Sequence, residues 1–162
     1  MAQTTKYIKL TGTFTRPDNT TEYSTGDLIN NDSKLPVQLV PENGITITSG
    51  QSLEVKQVKV ATKNGASSFD VLFNLLDNTQ VLELDNVAQY QTFENIGNLI
   101  YVRGINIINS NNFAYGFLDG INIPIKTEVN NLYCYLTLAS ETYTPVAKQE
   151  FYIEVLCALI DG

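Results

Sequence analysis

The stretch that most constrains the fold runs from Leu53 to Asp77, LEVKQVKVATKNGASSFDVLFNLLD, where apolar residues recur at every second position in two runs joined by a turn signal. Side chains alternate faces along a strand, so spacing of this kind specifies two strands rather than a helix. In the first run Leu53 and Val55 are in one phase and Val58 and Val60 in the other. Because a one-residue slip turns every later side chain to the opposite face, a β-bulge at Lys56-Gln57 is expected to restore a common apolar face. Between the runs, Asn64-Gly65 supplies the positive φ that a tight hairpin needs. In the second run Phe69, Val71, Phe73 and Leu75 share one face, while Leu72 and Leu76 lie on the other with Asp70 and Asn74. A strand apolar on both faces is expected in the middle of a sheet, covered in part on both sides.

The flanking sequence supplies shorter strands. Ile8, Leu10 and Phe14 alternate in the first, and Arg16-Pro17-Asp18-Asn19 turns the chain toward Glu22 to Ile29, bent at Thr25-Gly26-Asp27. Pro36 and Pro41 bracket Val37 to Val40, which is expected to pair only at an edge or around its prolines. Ile45 and Ile47 begin a further short strand, and Val81, Leu82 and Leu84 another. Leu99 to Ile108 is a strand followed by the loop Asn109 to Asn112; Ile121, Ile123 and Ile125 form one near an edge, because Pro124 cannot donate to a ladder. Leu132 to Ala139 and Phe151 to Ile160 are the last two. One helical turn is expected over Asp85 to Asn95, capped by Asp85 and ended by Gly97. About eight to ten short strands at this spacing predict an all-β fold, an antiparallel β-sandwich of jelly-roll type with at most one short helix. The 162 residues fit one domain spanning 1–162, with 1–6 as an N-terminal arm.

Charge and residue type narrow the chemistry. With 17 acidic against 10 basic residues the formal charge is -7. Such a surface repels nucleic acid and anionic membranes, so neither is expected as a partner. There is no histidine, which removes the usual Ser/His and Cys/His dyads and the commonest metal ligand. No P-loop or Rossmann glycine fingerprint is present. The carboxylate pairs Asp70 with Asp77, Glu83 with Asp85 and Glu150 with Glu154 have the composition for acid/base work, yet strand and loop carboxylates facing water are the simpler reading. Asp77-Asn78 and Asp85-Asn86 read as turns rather than calcium loops, since they lack EF-hand spacing. No catalytic residue, metal ligand or cofactor-binding residue is assigned, and no enzymatic activity is expected.

The start, MAQTTKYIKLTG, lacks the apolar core of a signal peptide, and no run approaches a membrane span. Synthesis in a reducing cytosol is expected, with Cys134 and Cys157 as thiols filling the apolar side of their strands, and the sequons at Asn19 and Asn31 unused. Tyr133 and Tyr135 alternate with Leu132, Cys134 and Leu136; their face is either a recognition surface or ordinary sheet surface covered by other parts of the chain.

Three elements together carry a resemblance: Tyr23-x-x-Gly26-Asp27-Leu28-Ile29, then Ile45 to Val60 running into Phe69-Asp70-Val71-Leu72-Phe73-x-x-x-Asp77, then Leu84-Asp85-Asn86-Val87-Ala88-Gln89-Tyr90. This combination, with Leu132 to Ala139, Tyr143-Thr144-Pro145 and a final strand ending near Leu159-Ile160-Asp161, resembles a family of tailed-phage virion structural proteins. The chain departs from that family's pattern at Gln91 to Gly97, which lacks a longer acidic, alanine-rich helix, and at Phe73 to Asp77, where the aspartate comes late. The resemblance implies a capsid-associated decoration or head-fibre subunit built on a β-sandwich. It would assemble in the host cytoplasm, reside in the virion, form a homotrimer, and contact the major capsid or other virion proteins. The expected contact residues are Ile121, Ile123 and Ile125, Tyr133 and Tyr135, and the segment Ala2 to Tyr7. The alternative is a carbohydrate-binding or adhesin module, including one associated with a tail fibre, that takes host-surface glycans; the absence of Trp counts against it.

Overall fold

In the computed structural model, residues 6–63, 67–92, 94–110, 113–126 and 131–160 are described. They form twelve strands: β1 (Tyr7–Thr15), β2 (Tyr23–Ser24), β3 (Leu28–Ile29), β4 (Val37–Pro41), β5 (Ser52–Lys63), β6 (Phe69–Leu76), β7 (Leu99–Ser110), β8 (Phe113–Leu118), β9 (Ile123–Lys126), β10 (Leu132–Leu138), β11 (Thr142–Tyr143) and β12 (Glu150–Ile160). Helical structure among the described residues is confined to two 3₁₀ turns, Glu42–Gly44 and Ile96–Asn98. All pairings are antiparallel.

Eight strands close a hydrogen-bonded ring in the order β12-β1-β4-β10-β6-β7-β8-β5, with β5 returning to β12. Within it β1 pairs β12, β4 pairs β10, β5 pairs β8 and β6 pairs β7. First with last, second with seventh, third with sixth and fourth with fifth is jelly-roll connectivity, one long hairpin rolled up on itself. The expected sandwich of two separate sheets is replaced by closure, because two strands bridge the layers. β4 gives Val37 to Leu39 to β10 and Val40 and Pro41 to β1. β7 gives Leu99 to Ile107 to β6 and its last residues, Ile108 to Ser110, to β8. Closure removes the open edges that invite stray strand pairing.

Each bridging corner has a glycine where backbones come close. A Cβ on Gly116 would sit 2.1 Å from the Asn106 carbonyl oxygen, and one on Gly12 would sit 2.6 Å from Val37 Cγ1 and 2.9 Å from the Gln38 carbonyl oxygen. Only a residue without a side chain fits either corner.

The bulge falls where alternation slips. Gln57 pairs Leu156 and Val55 pairs Cys157, so Lys56 is the extra residue, and Leu53, Val55, Val58 and Val60 are all buried. They join Phe73, Leu75, Leu136, Ile153 and Val155 in one core inside the ring. β6 lies between β10 and β7 as its two-sided pattern requires. A smaller cluster of Leu28, Leu76, Leu82 and Tyr135 forms on the outer side of β6 and β10, covered by the excursion 77–98. Leu72, on that same outer side, stays partly exposed. Among the described residues β9 pairs only β5, in keeping with Pro124.

Several expectations fail for identifiable reasons. Asp85 to Asn95 contains no α-helix among its described residues: Asp85 and Asn86 turn, with Asn86 at φ 61, and the Asp85 carboxylate is committed to other partners instead of capping. Ile45 to Ile47 and Val81 to Leu84 join no ladder, although Ile47 and Leu82 are buried. The segment after Ile108 is a hairpin arm rather than only a loop: β7 continues to Ser110 and β8 follows at Phe113. The tight-turn residues Asn64-Gly65 and most of the proposed arm, 1–5, lie outside the described residues.

Candidate interaction surfaces

The chain's strongest polar cluster is internal. Arg16, at the end of β1, extends a guanidinium whose Nη2 donates to Asp85 Oδ2 at 3.0 Å, with both side chains almost wholly buried. Tyr23 donates its hydroxyl proton to Asp85 Oδ1 at 2.5 Å and accepts from Arg16 Nε, and the Asn30 backbone N–H donates to the same Oδ1 at 3.0 Å. Burial, reinforced by the Asp85 carboxylate, holds the Tyr23 hydroxyl well above its ordinary pKa, so it stays protonated and donating. The Arg16 carbon also lies 4.8 Å over the Tyr23 ring. This cluster ties the 77–98 excursion to the ring. Buried ion pairs of this kind have a structural reading first, since each charge has its partner.

No three His, Cys, Asp or Glu side chains converge on a possible metal site among the described residues. The carboxylate pairs are separately occupied: Asp70 Oδ1 accepts from Asn106 Nδ2, Glu150 pairs with Lys63 at 3.3 Å, and Glu154 accepts from the Tyr152 hydroxyl at 2.9 Å. Cys134 and Cys157 are buried free thiols; burial raises both, Cys157 to about 12, so neither is a ready nucleophile.

The expected contact residues are placed mostly inward. Ile121, Ile125 and Tyr135 are buried within the chain itself, Ile123 packs partly against the core, and Tyr133 packs partly against the outer cluster. Tyr135 also donates its hydroxyl to Gln91 Oε1 at 3.0 Å, so it anchors the covering excursion instead of facing a partner. Ala2 to Thr5 lie outside the described residues, and Tyr7 is exposed.

Two surfaces that the sequence reading did not single out are apolar and uncovered. The first lies on β8. Ala114 and Gly116 face inward, so Phe113, Tyr115 and Phe117 project from the ring at 47%, 40% and 52% exposure, joined by Ile108, which pairs with Tyr115 across the ladder. Their rings line a shallow groove with Gln57, Lys59 and Ala61 of β5. The second is the excursion 77–98. It is pinned by Leu28 N–H to Val87 O at 2.9 Å and Leu82 N–H to Lys34 O at 2.8 Å, yet it presents Val81 and Tyr90, both 73% exposed, with Leu84, Val87 and Ile96. The signal for the first was alternation in Phe113-Ala114-Tyr115-Gly116-Phe117, whose small inward residues mimic a loop composition.

No protein-family model matches this chain, and no curated protein matches it. Among solved structures it is similar to a bacterial lipoprotein from Bacteroides thetaiotaomicron at 10% identity, covering 96% of this chain and 84% of that one with a TM-score of 0.37. It is similar to the Macrobrachium rosenbergii nodavirus semi-empty VLP at 10% identity, covering 96% and 93%, TM-score 0.32. It is similar also to the acidic stable capsid of Helicobacter pylori bacteriophage KHP30 at 13% identity, covering 96% and 94%, TM-score 0.30. Likeness at this level assigns no activity to the chain.

Proposed function

We propose that this chain is a non-enzymatic virion structural protein, a capsid-associated decoration or head-fibre subunit that contacts its neighbours as an oligomer. The observation that carries the reading is the uncovered stripe of Ile108, Phe113, Tyr115 and Phe117 on an otherwise closed ring. Contiguous exposed apolar surface on a β-sheet marks a site for a protein neighbour, and aromatic side chains are the residues such contacts use most. The sequence elements around Tyr23 to Ile29 and Leu84 to Tyr90 supply the link to phage structural proteins. Such a subunit needs a rigid scaffold and docking surfaces rather than reacting groups. Multiple copies on one particle make weak individual contacts sufficient. By the same reading its place is the virion, after assembly in the host cytoplasm.

Mass spectrometry of purified particles from the phage or prophage that encodes the chain tests this. The chain is expected in the particles in fixed proportion to the major capsid protein, and its absence from them overturns the reading. The groove between Phe113, Tyr115, Phe117 and the polar Gln57 and Lys59 favours one second reading, a glycan-binding module, because aromatic faces flanked by hydrogen-bonding groups suit sugar rings. Saturable, selective binding on a glycan array that is lost in Tyr115→Ala would favour it over the first.

A further inference from the structure

We infer that the outer face of β12, β5 and β8 is a binding site for an uncharged pyranose, held over Ala61 between Tyr152 and the aromatic side chains of β8. The inference rests on the second reading given above, and it places the site and names the sugar class. It starts from register. On the outer face of the ring, Thr13, Tyr152, Ala61 and Tyr115 stand side by side on the successive strands β1, β12, β5 and β8. Neighbouring strands are about 4.8 Å apart, so the two tyrosines are rooted about 10 Å apart with only a methyl group between them. The sheet is furrowed there instead of flat. Two depressions open along the furrow. One, of about 710 Å³, has Thr13, Tyr152, Ala61, Lys63, Glu150 and Phe113 among its lining residues. The other, of about 540 Å³, shares Ala61 and Phe113 and runs on past Tyr115 and Phe117 to Gln57 and Lys59. Both walls are braced within the chain: the Phe113 and Tyr115 rings lie 5.7 Å apart between centroids, and the Tyr152 hydroxyl is held by Glu154 at 2.9 Å.

Size and charge select the occupant. Depressions of this volume fall in the range of small-molecule sites, about 300–1,000 Å³. Charge along the rim is balanced: Lys63 pairs with Glu150 at 3.3 Å, Lys59 stands directly opposite Glu154 in the ladder, and Lys9 lies 4.0 Å from Glu154. Such a rim gives an ionic ligand no net attraction, yet it offers ammonium donors and carboxylate acceptors together. A pyranose complements both features, with C–H faces for the aromatic walls and a border of hydroxyls that donate and accept. The chain's net charge of -7 further disfavours acidic sugars. Ile108 lies on the far side of Tyr115 from β5, so that margin of the stripe stays open to a protein neighbour while the furrow holds its ligand.

The test probes the whole chain on an array of neutral, sialylated and uronic-acid glycans, followed by calorimetric titration with a neutral glycan that it binds. Ala61→Ile fills the furrow with a good strand former at an outward position, and Tyr152→Ala removes one wall. Circular dichroism checks that each folds, with Ala61→Val in reserve for the first. Saturable binding of neutral glycans is expected, roughly tenfold or more weaker in each variant. Tyr90→Ala, which removes an exposed ring from the excursion instead, is expected to bind as the wild type does. No binding, a preference for acidic glycans, undiminished affinity in Ala61→Ile and Tyr152→Ala, or loss of binding in Tyr90→Ala would each overturn the inference. Binding that Tyr115→Ala abolishes but Ala61→Ile and Tyr152→Ala leave intact overturns this placement and keeps the broader glycan reading. A chain that binds no glycan yet is found in purified particles defeats this inference and leaves the virion reading standing.

Discussion

Arg16 and Asp85, 69 residues apart in sequence, meet at 3.0 Å with neither side chain reaching solvent. The pair joins the end of β1 to the excursion between β6 and β7, and Tyr23 and the Asn30 backbone complete the carboxylate's partners. Removing one member leaves the other charged and buried, which costs about 3–5 kcal/mol, whereas replacing both with apolar groups of similar size is far milder. Asp85→Ala is accordingly expected to lower the urea midpoint sharply. Arg16→Met combined with Asp85→Leu is expected to recover the part of the loss that a stranded Arg16 charge causes, but not the part, about 1–3 kcal/mol per group, that comes from leaving the Tyr23 hydroxyl and the Asn30 N–H without their acceptor. Equal damage from the single and the double variants would show that the pair is not what holds the excursion.

The alkaline limb of stability follows from buried neutral groups. Burial raises the pKa of the Cys134 and Cys157 thiols and, with the help of Asp85, of the Tyr23 hydroxyl. A raised folded-state value means that the folded chain holds its proton after the unfolded chain has lost it. The stabilising contribution is therefore complete below the unfolded values, about 8.5 for thiols and 10 for phenols, and is lost as pH climbs toward the folded values. Each such group steepens the decline by about 1.4 kcal/mol per pH unit inside its window. Urea midpoints are expected to be flat through neutral pH and to fall above about pH 9. Cys134→Ala with Cys157→Ala would remove the earliest part of that fall.

How much of this architecture was legible follows from where the information resides. The bulge at Lys56 and the edge position of Pro124 are local consequences of alternation and of a missing N–H, so they could be read from a few residues. β8 was not, because Ala114 and Gly116 are its inward residues, buried against the core and the Asn106 backbone, and small residues carry no hydrophobic signal. Asp85 looked like a helix cap because capping is a local property. Its real partners, Arg16, Tyr23 and Asn30, come from distant parts of the chain. Likewise Tyr133 and Tyr135 were rightly placed on the second face of β10, but only the course of 77–98 decides that this face is covered.

The corner glycines give a sharp contrast. Gly116→Ala would drive a Cβ to 2.1 Å from the Asn106 carbonyl oxygen, a backbone atom with no rotamer to retreat into. Overpacking of this kind costs about 1–3 kcal/mol and more when the backbone must shift. Gly104, on β7, has nothing within 4 Å of its added Cβ. Gly104→Ala is expected to be neutral or stabilising by up to about 1 kcal/mol through the unfolded chain. Thermal unfolding of both variants should separate them by several degrees, and equal midpoints would mean that the β7–β8 corner opens easily.

Deleting Lys56 offers the most direct reading of the bulge. Without it, Leu53, Val55, Val58 and Val60 alternate without interruption, and Val55 and Gln57 become consecutive partners of Cys157 and Leu156, so the ladder to β12 survives. What is lost lies on the other edge of β5. There the Lys56 carbonyl accepts from the Ile121 N–H at 3.2 Å, and its ammonium lies 2.8 Å from Asn122 Oδ1, fixing the loop between β8 and β9. The deletion is therefore expected to fold, to lose about 1 kcal/mol for the missing bonds, and to exchange the amide protons of Ile121 and Ile123 faster. Deleting Val58 instead also restores a regular strand, but it turns Gln57 into the place of a fully buried valine. An unpaired amide there adds about 1–3 kcal/mol to the lost apolar burial, so this second deletion is expected to be the far more damaging of the two. Should the two deletions prove equally harmful by urea denaturation, the bulge would be serving the β5–β9 edge more than the core, and the alternation argument for its position would fail.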